Sequence, residues 1–531
     1  MKSKVLGVSL FTITCLYGLL AGIIILATML LGGNVLIAVI SGIVIIAVQF
    51  LIAPWLTDLS MRFFYKAKFD KEIPDYLKKF IEDECSKHNV KYPKIGIIDD
   101  GAPNAFTYGR TKKDARLVLT RGIFEILTEE EVKAVVGHEL GHIVHMDMLV
   151  MTAVQVVPLV MYAIYELLAG SNNSKSDSDD NKAAIVGYIA LVLYFISQYF
   201  ILWLSRTREY YADQFSVEET KNPNALAEAL VKIGFGLSTA APTTDEKGKK
   251  MQDVSKRNAL GIFDKNASKA MAVAAVDEKG ISKSRVKNAM KWEMWNPWAK
   301  WYEFNSTHPL ISKRINRISE LAKSMKKDPY IVFDLEKTEK FAGNFILEVL
   351  INIMPTLCFI AGIVAFFFIP QSKLFMLIGI TILAITLFSL IKYLRAHKGG
   401  YKEATVEDLL GEINVSHVTS VPTIVKGNII GKGDPGCIFS EDFVIRDKTG
   451  IIFLDYNQPL FILNKIFALF KSGKMIDKEI TVKGWYRRNP VPFVEIYEYT
   501  VDGKTKKVWT YTVTMVLYSI FAIAGIVLLF I

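Results

Sequence analysis

Seven apolar stretches break up this chain, near residues 5–31, 34–56, 147–169, 183–205, 346–369, 374–394 and 508–531. Each is long enough, as a helix, to cross a hydrocarbon layer of about 30 Å. Between the second and third stretches the pattern changes. Asp75 to Lys87 alternates apolar and charged residues at helical spacing. Lys94 to Asp99, Ala105 to Gly109 and Ala115 to Thr120 read as short strands. A second amphipathic helix follows from Thr128 to His142, and a third from Asn224 to Ile233. Beyond residue 400, five strand-like runs separated by glycine and proline turns (Val425 to Lys432, Asp442 to Asp447, Gly450 to Tyr456, Ile480 to Arg487, Phe493 to Tyr499) predict a small closed β-barrel resembling an OB-fold.

The expected fold is a mainly α polytopic membrane protein with a small sheet ahead of the Thr128 to His142 helix and a C-terminal barrel. Its segments are a transmembrane hairpin at 1–57, a soluble part carrying that helix at 58–146, a second hairpin at 147–205 and a second soluble part at 206–344. A third hairpin at 345–395, the β-rich domain at 396–507 and a last span at 508–531 complete it. Lys2 and Lys4, Arg62 to Lys71, Arg206 and Arg208, Lys337 and Lys340, Lys392 to Lys402, and Lys504 to Lys507 all fall on one side, which the positive-inside rule makes the cytoplasm. The first stretch is longer than a signal-peptide core and lacks a clear cleavage site, so it is expected to remain as an anchor. The polar run Ser171 to Lys182 is expected to be disordered, and 238–291 has no pattern that assigns it. Trp292, Trp295, Trp298 and Trp301, around Asn296-Pro297, fit either an interfacial aromatic belt or a packed hairpin.

With 51% hydrophobic residues over 531, the composition excludes an ordinary soluble protein. The net charge of +10 lies beside the apolar stretches instead of forming a basic patch, so it reads as topology and no nucleic acid is expected. Trp485-Tyr-Arg-Arg488 alone does not make a nucleic-acid platform, and the barrel is read as an adaptor. Cys15, Cys85, Cys358 and Cys437 are far apart, which suggests neither disulfides nor a thiolate metal site.

The chemistry concentrates on the Thr128 to His142 helix. Thr128 with Glu131 forms a capping box, and the acidic first turn suits the helix dipole. His138 and His142 stack one turn apart, and Glu139 sits beside them, the H-E-x-x-H arrangement of a zinc site whose glutamate is the general base. A third ligand is needed. If the third and fourth spans form an antiparallel hairpin, His142 lies about 40 Å from its far end and Glu209 about 39 Å, so they meet at one depth, whereas Glu166 and Glu218 do not. Asp213 comes level with His138 and fits as the acceptor for its second ring nitrogen. His145 falls outside the set. Asn104 is either a turn residue after Pro103 or a contact to a substrate carbonyl, the second reading making it the candidate substrate-binding residue on an edge strand able to pair with an extended peptide.

His138-Glu-Leu-Gly-His142, Glu209-Tyr-Tyr-Ala-Asp213, Pro103-Asn-Ala-Phe106 and Ser306-Thr-His308-Pro-Leu-Ile-Ser-Lys-Arg314 together resemble the HtpX family of membrane zinc peptidases over about residues 1–325. The resemblance implies a zincin-like (gluzincin) endopeptidase facing the cytoplasm and acting in quality control of misfolded or membrane proteins. It implies one zinc ion per chain, with His138, His142 and Glu209 as ligands and Glu139 as catalytic base. It makes His308 the catalytic donor to the oxyanion, with Arg314 either orienting His308 or pairing with Asp213. The expected partners are polypeptide substrates and the lipid bilayer of the cell membrane. The alternatives are a prenyl-protein-type processing endopeptidase, or a non-catalytic scaffold binding through the barrel. Residues after about 340 go beyond the resemblance.

Overall fold

The structure, a computed structural model, describes residues 2–31, 34–69, 72–101, 103–170, 178–239, 276–277, 280–333, 342–432, 441–489 and 491–531. In chain order the helices are α1 (Lys2–Leu31), α2 (Asn34–Phe64), α3 (Asp75–Lys87), α4 (Arg121–Ile126), α5 (Glu129–Val144), α6 (Asp147–Tyr165), α7 (Ser178–Thr220) and α8 (Pro223–Thr239). They continue with α9 (Lys283–Trp295), α10 (Pro297–Phe304), α11 (Ile311–Ser324), α12 (Ala342–Phe366), α13 (Leu374–Ala396), α14 (Val406–Gly411), α15 (Phe461–Phe470) and α16 (Thr510–Leu528). Strands β1 (Lys94–Ile98), β2 (Ala105–Gly109) and β3 (Ala115–Thr120) lie between α3 and α4. After the two-residue strands β4 (Val276–Asp277), β5 (Gly280–Ile281) and β6 (Lys402–Glu403) come β7 (Val421–Lys432), β8 (Phe443–Arg446), β9 (Ile451–Asp455), β10 (Glu479–Asn489), β11 (Val491–Val501) and β12 (Lys504–Lys507).

Five helices among the described residues are long and apolar enough to cross a membrane: Asp147–Ala169, Ala183–Thr220, Gly343–Phe366, Gln371–Ala396 and Thr510–Leu528. The first two predicted stretches are also helical, as α1 and α2 of 30 and 31 residues. Ser171 to Asp177, the unpatterned 240–275, Lys337, Lys340 and Cys437 lie outside the described residues. The end of the polar run differs from expectation. Residues 178–182 are already helical, opening α7.

The chain divides into two units, Met1–Lys265 with Tyr302–Val332, and Asn266–Trp301 with Phe333–Ile531. In the first, α1, α6 and α7 close on an apolar core of Leu16, Leu20, Ile23, Val157, Met161, Val186 and Leu204. The sheet has the order β1-β3-β2, with β1 parallel and β2 antiparallel to β3, so β2 is an edge strand. Helix α5 is almost wholly buried and packs against β2, α7 and α8.

In the second unit, β7, β8 and β9 run antiparallel, β9 pairs with β11 in parallel, β11 with β10 antiparallel, and β10 returns to β7. That last pairing closes a five-stranded barrel. The tryptophan segment is a packed hairpin and not a lipid belt. Trp292 Nε1 donates to Val415 O at 2.8 Å, Asn296 Nδ2 to Ile413 O at 2.7 Å, and Trp298 Nε1 to Glu348 Oε2 at 2.6 Å. The Arg488 guanidinium lies over the Trp292 ring at 4.7 Å. Each buried indole N–H thus finds the partner that burial demands.

Candidate active site

Helix α5 starts where the sequence says. Thr128 N donates to Glu131 Oε2 at 2.8 Å and Glu131 N to Thr128 Oγ1 at 3.4 Å, which closes the capping box. The register this fixes puts His138 and His142 on one face, their Nε2 atoms 3.1 Å apart and their rings edge to face. Glycines on α5 let α7 come close. A Cβ on Gly141 would lie 3.1 Å from Ala212 Cα and 3.2 Å from Phe215 Cβ, and one on Gly137 would lie 3.2 Å from Ser216 Oγ. A side chain at either position would make α7 give by a few tenths of an ångström.

The approach brings Glu209 of α7 to the histidines. Its Oε2 is 3.5 Å from His138 Nε2 and its Oε1 3.5 Å from His142 Nε2. The three ligand atoms lie within 4.8 Å of one another, a group that could hold a metal ion. Glu209 Oε2 is buried and accepts no hydrogen bond among the described residues, so it is the kind of oxygen a cation satisfies. Glu218 does not join the group, and its carboxylate accepts from Gln214 Nε2 instead.

One turn beyond Glu209, Asp213 Oδ1 lies 2.9 Å from His138 Nδ1. Arg314 of α11 clamps the same carboxylate at both oxygens, Nε to Oδ2 at 2.9 Å and a terminal nitrogen to Oδ1 at 2.6 Å. This is the Asp213 pairing expected of Arg314, and its other terminal nitrogen is 3.5 Å from Glu209 Oε2. His308 Nε2 lies 3.8 Å from Glu209 Oε1, and its Nδ1 is 2.9 Å from Thr307 Oγ1. His145 caps α5 and packs its ring on Phe215, away from the group; burial pushes its pKa down to about 4.

Sequence reasoning missed Asp147 and Arg208. Asp147 Oδ2 lies 2.6 Å from His142 Nδ1, so His142 has a carboxylate partner as His138 does. Asp147 Oδ1 accepts from Arg208, which also donates to His145 O at 3.0 Å and to Ser9 Oγ on α1 at 2.6 Å. The link depends on Met146, whose left-handed backbone (φ 56°) folds the start of α6 back onto the end of α5. An acidic residue five positions after the second histidine was the available signal. The turn that makes it reach was not.

Glu139 is 3% exposed and bonded to Thr107 on the edge strand β2. Burial raises its pKa, opposed by the positive charge of His142 and His138. Burial alone would depress the two histidines, but His138 is raised by Asp213 and Glu209, and His142 is held well above its usual value by Asp147 and Glu209. A cation bound here would displace those protons. Asn104 is buried just before β2. Its backbone N donates to Thr120 Oγ1 at 2.7 Å and its carbonyl accepts from Thr120 N at 3.0 Å, which anchors the start of the edge strand.

Comparison with known proteins matches this region. The family described as Peptidase family M48 matches residues 72–322. A "Protease HtpX homolog" of Methanothermobacter thermautotrophicus is 41% identical over 238 residues, covering 45% of this chain and 88% of the relative. A second, of Thermoplasma acidophilum, is 30% identical over 239 residues, covering 44% and 73%. Among solved structures, S. mikatae Ste24p aligns with a TM-score of 0.34 and 16% identity over 59% of this chain and 64% of its own.

Proposed function

The chain belongs to peptidase family M48 as an HtpX-like membrane metalloprotease, and from that premise we propose a zinc-dependent endopeptidase that hydrolyses peptide bonds of misfolded or membrane proteins at the cytoplasmic face. The convergence of His138, His142 and Glu209 beside buried Glu139 carries this reading. Two imidazoles and one carboxylate make the donor set of a catalytic zinc with a position left open. One zinc ion per chain, when bound, supplies a Lewis acid that polarises the scissile carbonyl and acidifies water.

The remaining work belongs to the side chains. Glu139, raised by its burial, accepts the proton of the attacking water and returns it to the leaving amine. His308 donates to the oxygen that becomes negative in the transition state. Asp213, held by Arg314, and Asp147, held by Arg208, fix the ring orientations of His138 and His142. The free edge of β2, which begins after Asn104, takes the substrate as an added strand, a mode that reads main chain more than side chains. The zincin-like catalytic part then comprises 58–146 and 206–344 around the membrane hairpin at 147–205. The OB-like domain at 396–507 recruits substrates without entering the chemical step. The lysines and arginines flanking the spans support the cytoplasmic orientation.

Full-length protein purified in detergent is expected to cleave unfolded casein, to stop when a chelator strips its metal, and to recover with stoichiometric zinc. Chelator-resistant cleavage, or none after zinc is restored, would overturn the proposal.

A further inference from the structure

Apart from Lys465, which pairs with Glu441 at 2.8 Å, helix α15 is apolar on both faces, yet among the described residues only one face has a partner. Its inner face is fastened to the barrel: the Phe467 ring stacks on Tyr456 at 3.9 Å, and Asn464 Oδ1 accepts from Gln458 N at 2.7 Å. On the opposite face Ile462, Leu463, Ile466, Leu469 and Phe470 stand exposed, Ile462 by 64% and Phe470 by 67%. Water is a poor solvent for such a face, and a helix apolar all round must bury its second side in something.

The neighbouring chain indicates what. The loop that opens α15 is bonded to the start of the span α16: Trp509 N donates to Gln458 Oε1 at 3.1 Å, and the Thr510 hydroxyl donates to Asn457 O. Val508 N also donates to Tyr497 O of the barrel at 2.8 Å. Phe461 follows Gln458 by only three positions, a reach of at most about 11 Å, so α15 begins at the level where α16 enters the bilayer. Its 10 residues rise about 15 Å, half of a hydrocarbon layer of about 30 Å. That is too short to cross and suited to lying in the boundary. Exposed Lys471 and Lys474 follow the helix, and exposed Lys504 and Lys506 precede α16, a charge complement to acidic headgroups.

We propose that α15 is an interfacial membrane anchor, its Ile462–Phe470 face bedded at the headgroup boundary of an anionic leaflet beside α16. The barrel is then held at a second point besides its spans, which fixes the face it turns to the aqueous phase.

The full chain in nanodiscs of phosphatidylcholine and phosphatidylglycerol tests this. With the four native cysteines replaced, a nitrobenzoxadiazole label at Ile462→Cys or Ile466→Cys is expected to lose at least half its emission to shallow nitroxide-labelled lipid and to resist aqueous iodide. A label at exposed Lys426→Cys on β7 is expected to behave the opposite way. Iodide quenching of all three labels, or shielding of the α15 labels from both quenchers, which would mean a second copy or another protein covers the face, overturns the proposal. The unsubstituted chain gives the same answer without a label. A phospholipid with a photoactivatable group near its carbonyls should add to residues 461–470 as well as 510–528, several-fold more in anionic than in zwitterionic discs. Adducts confined to 510–528 overturn the anchor, and equal yields in the two discs overturn the preference for an anionic leaflet.

Discussion

Asp147 Oδ2 sits 2.6 Å from Nδ1 of His142, and Asp147 Oδ1 accepts from Arg208, which reaches Ser9 on α1. A helix of the membrane bundle is thereby tied, through two buried polar residues, to one of the candidate metal ligands. Carboxylates behind ligating histidines fix tautomer and raise basicity. Asp147→Asn, which keeps the size and an acceptor oxygen but loses the charge, is expected to weaken zinc binding about 10- to 100-fold. Competition against a fluorescent chelator measures it; affinity within a factor of two of the parent would assign Asp147 a packing role alone.

Glu139→Gln is expected to keep zinc and lose proteolysis by a factor of about 10² to 10⁴, because the ligand set survives while the proton acceptor is lost. Glu209→Ala is expected to lose zinc, and Glu218→Ala to retain it. Metal content and casein cleavage should be read on the same preparations. Full zinc in Glu209→Ala would mean the third ligand lies elsewhere.

Gly141 sets how closely α5 and α7 approach. Gly141→Val places methyl groups where Ala212 and Phe215 now stand within 3.2 Å of a Cβ, an overpacking that costs about 1–3 kcal/mol. It displaces Glu209, three residues before Ala212, from the histidines. The variant should lose both thermal stability and zinc affinity, whereas Gly18→Ala, where a Cβ meets nothing within 4 Å, should change neither. An unchanged zinc affinity in Gly141→Val would show that the site tolerates a wider helix spacing.

Asp455 on β9 makes the barrel pH-sensitive. Burial, then the negative charge of Asp442 and Glu495, raises its pKa to about 7, against about 3.9 for an unfolded aspartate. A carboxyl whose folded pKa lies above its unfolded one favours the fold when protonated. Its contribution is full below pH about 4 and is lost as pH rises towards about 7. Asp455→Asn should therefore melt higher than the parent at pH 7.5, with the gap shrinking by pH 5. A gap independent of pH between those points would contradict the assignment.

By itself the sequence determined everything set by short range and periodicity. The capping box fixes the start of α5, and helical pitch alone then puts His138 and His142 one turn apart. Rise per residue along two antiparallel spans brings Glu209 and Asp213 to the right depth, because a helix keeps length as well as phase. The barrel strands were legible to within a few residues from alternation and turns, as Val421–Lys432 and Glu479–Asn489 are against the predicted runs.

Tertiary structure decided what a face packs against, since periodicity shows that a side is apolar or polar without naming its partner. The αL turn at Met146 brings Asp147 to His142, and the spacing alone holds no sign of it. The hairpin of Trp292 and Trp298 buries against Val415 and Glu348, remote from it in the chain, so neither reading of its tryptophans was favoured beforehand. The β10–β7 pairing that closes the barrel is equally remote in sequence. On α15 both faces look alike in the sequence, and only the folded barrel decides which one Phe467 fills and which is left to the surroundings.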